Sequence, residues 1–400
     1  MAQYTLIATS AFGIESVVAD ELRALGYENL VVENGRVKFR GDLLDVARCN
    51  IRLRTADRLL LELNEFVAKD FEELFQATRA VPWEHIIPES GKMHVTGKSI
   101  KSTLFSVPDC QSIVKKAVVE SMKRKYGKTW FSEDGPVFKI EIALLKDRGS
   151  LTIDTSGPGL HKRGYRRGGG EAPLRETLAA AMVLLSRWDA SRILADPLCG
   201  SGTIPIEAAL IGKNIAPGLN RPFVSEEWAI IPKKHWKLAR DEARAAVLDV
   251  KPVILASDID GKVFRTAREN AENAGVSDCI TFQRKPVSEF SSKRKYGCII
   301  TNPPYGERLG DLRQAEALYK EIGGVFSRLD TWSCFIISPH ENFARHFGKP
   351  SDRNRKLYNG KIKCYLHQYF GPLPRKKNRS TEHESGERSF QPDDGENGGD

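Results

Sequence analysis

From residue 172 to residue 338 the chain alternates helix-length and strand-length segments, and that alternation constrains its architecture more than any other feature. Helix is expected over 174–188, strand over 192–195 and helix again to 211. Further strands are expected at 253–257, 280–283, 298–301 and 334–338, with helices between them. Strands joined by helical crossovers pair in parallel and carry helices on both faces, which defines a doubly wound α/β sheet. Residues 214–232 form a loop-rich insertion, 233–247 are expected to be helical, and no internal repeat is evident.

Ligands of such a sheet bind at the carboxyl ends of its strands, where three features fall. The first is Asp196-Pro-Leu-Cys-Gly-Ser-Gly-Thr203. Its two glycines allow a tight turn and close backbone approach, with a helix N-terminus behind them. No Lys follows the second glycine and the third glycine of a dinucleotide fingerprint is missing, so neither phosphate-loop motif applies. The second is Ala256-Ser-Asp258-Ile259-Asp260, where an acid is placed to accept ribose hydroxyls. Asp258 is the functional candidate, and Asp260 suits the cap of a helix starting near Lys262.

The third feature is Asn302-Pro303-Pro304-Tyr305. Two fixed φ angles hold its carbonyls rigid. The Asn302 side-chain oxygen and the Pro303 carbonyl are arranged to accept both N–H bonds of a planar amine, aiming the nitrogen lone pair at an electrophile, while Tyr305 stacks on the ring carrying the amine. Proximity and preorganised dipoles then supply the acceleration without a strong base.

Ahead of these lies a different texture. Residues 1–50 read strand, helix, strand, strand, with strands 30–33 and 36–39 flanking the hairpin signal Asn34-Gly35. Residues 51–155 mix helix (71–78, 109–125) with strands (93–97, 138–145, 150–155). Over 98–128 eight Lys or Arg face two acids. The segment 156–171, with His161, Lys162, Arg163, Tyr165 and Arg166 among glycines, reads equally as a linker and as an RNA contact. The whole chain carries a formal +9, and residues 381–400 hold seven acids against one Arg, so the rest carries +15. A basic body fits a polyanionic partner. The tail, 375–400, is too polar to bury a core and is expected to be disordered. Seven scattered cysteines without CxxC spacing support neither a metal site nor a disulfide framework. With no signal-like N-terminus and no long apolar run, a reduced cytoplasmic protein is expected.

Taken in order, the Gly200/Gly202 turn, Asp258 and Asn302–Tyr305 resemble the successive motifs of class I S-adenosylmethionine methyltransferases acting on amino groups. Gly159-Leu-His-Lys-Arg-Gly-Tyr-Arg166, Glu171-Ala-Pro-Leu-Arg-Glu-Thr-Leu178 and Val95-Thr-Gly-Lys-Ser-Ile-Lys-Ser-Thr-Leu104 resemble the bacterial THUMP-containing RNA methyltransferases. The resemblance spans about residues 3–375. It implies a Rossmann-like class I methyltransferase domain with a mostly parallel seven-stranded sheet over 172–374. A smaller α+β region precedes it, a ferredoxin-like unit over 1–50 and an RNA-binding THUMP domain over 51–155.

The resemblance further implies S-adenosylmethionine as cofactor and the N2 of a guanine in 23S ribosomal RNA as acceptor. Asn302, Pro303 and Tyr305 would hold the amine. Cofactor contacts would come from Pro173, Leu174, Asp196, Cys199, Gly200, Ser201, Gly202, Thr203, Asp258, Ile259 and Asn302. RNA contacts would come from Lys98, Lys101, Lys115, Lys116, His161, Lys162, Arg163, Tyr165 and Arg166. No metal is expected. The adenine contact stays unassigned, because Pro286 stands where an acid is common and Glu289 is the remaining acid nearby. The Asn-Pro-Pro-Tyr motif also occurs in DNA adenine-N6 and protein glutamine methyltransferases. Transfer RNA as substrate and a non-catalytic ribosome-assembly factor are the other readings.

Overall fold

The structure, a computed structural model, describes residues 2–128, 130–166, 174–306 and 311–374. Most of the sequence motifs fall inside this range, but residues 167–173, Pro173 among them, and the tail from 375 lie outside the described residues.

The first part is β1 (Tyr4–Thr9), α1 (Glu15–Ala24), β2 (Val31–Glu33), β3 (Arg36–Gly41), α2 (Leu43–Arg52), β4 (Arg58–Val67), α3 (Phe71–Arg79), β5 (Lys92–Ile100), α4 (Val107–Tyr126), β6 (Val137–Leu145) and β7 (Arg148–Asp154). The helix α2 was not expected from the sequence. Its signal is local: Asp42 accepts from the Leu44 and Asp45 N–H groups, and Asp45 accepts from the Asp42 N–H, a reciprocal cap. The strands form one seven-stranded sheet in the order β2-β3-β1-β4-β7-β6-β5. Only β5 and β6 pair in parallel. Because β4 pairs with both β1 and β7, the sheet runs without a break across residue 50, where the sequence placed a domain boundary.

The second part is α5 (Glu176–Leu185), β8 (Leu194–Asp196), α6 (Thr203–Gly212), α7 (Lys233–Ala245), β9 (Ile254–Asp258), α8 (Gly261–Asn273), β10 (Ile280–Arg284), β11 (Cys298–Thr301), α9 (Asp311–Phe326), β12 (Ser333–Ser338), α10 (Phe343–Phe347), β13 (Arg353–Asn359) and β14 (Ile362–Tyr369). Its sheet has the order β10-β9-β8-β11-β12-β14-β13, parallel through β12 and antiparallel at the last two pairs. The expected parallel alternation is present. The closing hairpin β13–β14 was not foreseen, although Asn359-Gly360 carries the same turn signal as Asn34-Gly35. Apolar side chains fill both faces of this sheet, Leu178, Ile206 and Phe335 on one and Tyr319, Ile336 and Phe343 on the other.

The insertion after α6 packs away from its own sheet. Trp228 stacks on Phe138 of β6 at 4.8 Å and donates from Nε1 to the Val137 carbonyl at 3.0 Å. Trp236 of α7 belongs to the same core as the first sheet. Arg48 of α2 meets Glu242 of α7 through two hydrogen bonds of 2.8 and 2.6 Å. A partly exposed ion pair contributes about 0.2–1 kcal/mol. Burying an aromatic ring contributes roughly 4 kcal/mol, so the tryptophans do most of the holding.

Candidate active site

The site lies where β8, β9 and β11 end. Gly200 and Gly202 sit at φ +52° and +83°, the left-handed region open to glycine. A side chain at Gly202 would also press its Cβ to 3.2 Å from that of Ala267. The turn is pinned from β9: the Cys199 N–H donates to the Ser257 carbonyl at 2.9 Å, and the Gly200 N–H donates to Asp258 Oδ2 at 2.9 Å. Asp258 Oδ1 accepts from the Asp260 N–H at 3.0 Å, and Asp260 caps α8 through the Lys262 N–H at 2.8 Å. Asn270 braces the turn from α8 by donating to the Ser201 carbonyl at 3.0 Å. Ile259 is 62% exposed beside it, an apolar surface next to polar acceptors.

Asp196 is 1% exposed and lies beneath the turn. Its Oδ1 accepts from the Thr301 hydroxyl at 2.7 Å, joining β8 to β11, and from the Leu198 N–H at 3.2 Å. Burial pushes its carboxyl up to about 7, and the Asp258 charge adds to the rise. Cys199, Thr203 and Leu174 are likewise buried, while Ser201 is partly exposed.

At the end of β11, Asn302 Oδ1 is buried and has no hydrogen-bond partner among the described residues. Pro303 is buried and Pro304 exposed. The Pro304 carbonyl accepts from the Tyr319 hydroxyl at 3.3 Å, and Ser338 bonds that hydroxyl at 3.2 Å, so α9 and β12 fix the loop from behind. Tyr305 is half-buried against the core, and its hydroxyl accepts from Asn359 Nδ2 at 3.4 Å. Burial raises its phenol well above the ordinary range, which keeps it neutral. Neither Asn359 nor the Tyr319–Ser338 pair was singled out from the sequence. Beside the loop, Pro304, Gly306, Gln314, Ala315, Leu318 and Glu321 border a cleft of about 610 Å³.

The basic segment needs correction. Arg163 is 6% exposed and Tyr165 4%. Arg163 bonds both Glu207 oxygens at 3.3 Å and donates to the Leu160 and Arg54 carbonyls. Tyr165 donates to Glu207 at 3.2 Å. Arg166 spans from the Thr203 hydroxyl (2.7 Å) to Glu176 (3.5 Å). His161 is half-buried, and burial among Arg175, Arg163 and Lys162 lowers it to about 4, so it is neutral at pH 7 and offers no charge to phosphate. Only Lys162 of this group is exposed. The missed signal is Glu207, an acid inside an otherwise apolar helix. Lys98, Lys101, Lys115 and Lys116 are all exposed on the first sheet's side, with Lys98 bridged to Glu141 and Lys115 to Glu133. Elsewhere Glu316, His340 and His346 bring three ligand atoms within 4.8 Å of one another. His340 Nδ1 accepts the Asn342 N–H, and Nε2 of both histidines faces Glu316 Oε1 at 3.3 Å.

A glycine turn with open backbone at Gly200, an acid at the next strand end, an exposed Ile259 and an orphaned amide oxygen together fit S-adenosylmethionine beside an amine. The fold and this site define a class I methyltransferase joined to an N-terminal α+β module. Residues 163–368 match the RMKL-like methyltransferase domain family (UPF0020), residues 5–60 the RlmL ferredoxin-like domain and residues 68–154 the THUMP domain. The chain belongs to the RMKL-like methyltransferase family, and S-adenosylmethionine is its cofactor. It is 52% identical to YpsC of Bacillus subtilis (strain 168), which carries an RNA-methyltransferase name, over 94% of this chain and 99% of that protein. It is 34% identical to the ribosomal RNA large subunit methyltransferase K/L of Syntrophotalea carbinolica over 90% of this chain, but spans only 52% of that longer protein. The crystal structure of SMU.472 complexed with SAH superposes with a TM-score of 0.88 at 43% identity, covering 94% of this chain and all of that one. Among the described residues no helix is long and apolar enough to cross a membrane.

Proposed function

We propose that the chain methylates the exocyclic N2 of a guanine in large-subunit (23S) ribosomal RNA. The observation that carries the chemistry is the buried, unpartnered Asn302 Oδ1 at the strand end beside the glycine turn. A buried carbonyl without a donor costs about 1–3 kcal/mol, and an amine N–H placed there removes that cost. The Pro303 carbonyl accepts the second N–H, while the Tyr319 hydroxyl keeps the neighbouring Pro304 carbonyl occupied and the loop in place. Held by two acceptors, the nitrogen lone pair turns out of conjugation with the ring. S-adenosylmethionine supplies an electrophilic methyl on its sulfonium. Gly200, Gly202, Asp258 and Ile259 would hold it, with Asp196 supporting the turn from below. Tyr305, neutral and half-buried, forms a wall for the base. A base inside a helix cannot reach this edge, so the guanine is flipped out or already unpaired.

Guanine N2 follows from the resemblance of the motifs. Ribosomal RNA is supported by the THUMP match and by the names of the K/L relatives. The test is nucleoside mass spectrometry of ribosomal and transfer RNA from a strain lacking the protein, complemented with wild type or Asn302→Ala. N2-methylguanosine is expected to vanish from large-subunit ribosomal RNA and to return with wild type alone. Loss from transfer RNA instead would redirect the substrate assignment, and no loss from either would end it.

A further inference from the structure

The hairpin β13–β14 forms the outer edge of the second sheet, and part of one face is uncovered. Its register sets Lys356 opposite Tyr365 and Tyr358 opposite Lys363. Strand alternation puts these four side chains on one face, while Leu357, Cys364 and Leu366 enter the core on the other. Lys356 lies over the Tyr358 ring at 5.5 Å and Lys363 over the Tyr365 ring at 5.9 Å. Farther along the same face His367 stacks on Phe343 of α10 at 4.4 Å, so α10 covers only the end remote from the turn. Lys356, Lys361 and Lys363 are exposed. Among the described residues no carboxylate pairs with any of them. Asp352, just before the hairpin, accepts the Phe370 N–H at 2.7 Å.

Two contacts tie this hairpin to its surroundings. At its turn, Asn359, which alternates onto the opposite face with Leu357, reaches the Tyr305 hydroxyl, so the turn adjoins the catalytic loop. At the edge, Phe12 of the first part, 55% exposed, meets Tyr358 edge-on at 6.1 Å. The loop carrying Phe12 approaches closely because Gly13 sits at φ +94° with its Cβ position 2.3 Å from the Lys356 carbonyl, a place only glycine can occupy. The aromatic and cationic groups therefore run from the first part of the chain along the hairpin, whose turn adjoins the catalytic loop.

We propose that this lysine–tyrosine face holds the single-stranded RNA adjoining the target base, an assignment that rests on the RNA-methylation reading above. Alternating cations and rings match a strand whose phosphates and unstacked bases alternate in the same way. A duplex offers phosphates but no free ring faces, so the tyrosines select the single strand.

The test is fluorescence anisotropy of the full chain with a labelled, guanine-containing single-stranded RNA of about 15 nucleotides and with its duplex, across a range of KCl. For Lys356→Ala/Lys363→Ala, binding of the single strand is expected to weaken about tenfold, with a salt slope smaller by about 1.4. Tyr358→Leu and Tyr365→Leu are expected to weaken it roughly 5- to 50-fold each at an unchanged slope. Calorimetric S-adenosylmethionine affinity within about twofold of wild type marks each variant as folded, and a variant failing that mark is replaced by Lys→Gln or Tyr→Val at the same position. Wild-type affinity and slope in these variants would overturn the proposal while leaving RNA methylation standing. Weakening confined to the duplex would also overturn it. A wild-type chain that binds neither RNA would sink the RNA reading itself.

Discussion

Two stretches of this chain interleave cations with tyrosine, and they end in opposite places. In 161–166, Arg163 and Tyr165 are buried on Glu207, and Arg166 reaches from Thr203 to Glu176. In 353–365, Lys356 and Lys363 stay exposed over Tyr358 and Tyr365. Composition alone does not separate them. What does is the partner: the first stretch meets a buried carboxylate that must be neutralised, and the second lies on an edge hairpin whose alternation turns its polar face outward. The inward stretch also donates to the Arg54 carbonyl and to the Thr203 hydroxyl at the glycine turn, so it joins the first sheet's region to the cofactor site.

The largest test of that contrast is Arg163→Ala. It strands Glu207 in the interior and is expected to cost about 3–5 kcal/mol, read as a fall in the urea midpoint. The salt slope of RNA binding at permissive urea should not change. A stable variant with a reduced slope would move Arg163 back to the RNA.

Asp196 sharpens the point, since it is a buried acid with Thr301 and Asp258 beside it and no cation. Its carboxyl is pushed up to about 7 from the ordinary value near 3.8. The folded chain thus keeps a proton that the unfolded chain releases, and stability falls as pH rises from about 4 to about 7, then levels. Asp196→Asn keeps both hydrogen-bond acceptors' geometry and removes that fall. Relative to wild type it should gain about 2–4 kcal/mol by pH 7 and nothing below pH 4, measured by urea unfolding across pH. Parallel profiles for the two proteins would mean that Asp196 is ionised when folded.

Much of this arrangement is legible in the sequence because it is local. The glycine turn, Asp258 and Asn302–Tyr305 each sit at a strand end that hydrophobic period alone locates. The rest depends on distant partners. Nothing near Arg163 announces Glu207, which lies 44 positions away. The sheet continues across residue 50 because β4 pairs with β1 and β7 at once, and α7 joins the first core through Trp236, Ala239 and Ala243, which lie far from that core in sequence. The closing hairpin did have a local signal in Asn359-Gly360, but its outward Lys and Tyr residues hide the apolar alternation of Leu357, Cys364 and Leu366.

A smaller change probes the same buried cluster. Tyr165→Phe removes the hydroxyl that donates to Glu207 and leaves the ring in its packing, so a loss of about 1–2 kcal/mol is expected. RNA affinity should hold, and a tenfold drop would instead identify a contact between this hydroxyl and the RNA.

Lys162 gives the smallest effect and separates the two stretches most finely, because it is the one exposed member of its group. Its neighbours are held by Glu207, Glu176 and backbone carbonyls, whereas its own ammonium is free to meet phosphate. Lys162→Ala should leave the urea midpoint unchanged within about 0.5 kcal/mol, as surface changes do. If residues 161–166 touch RNA, they do so through this side chain, and the salt slope should fall by about 0.7–0.9, the share of one phosphate. An unchanged slope would make the entire stretch structural, and the hairpin face would then carry the phosphate contacts nearest the catalytic loop.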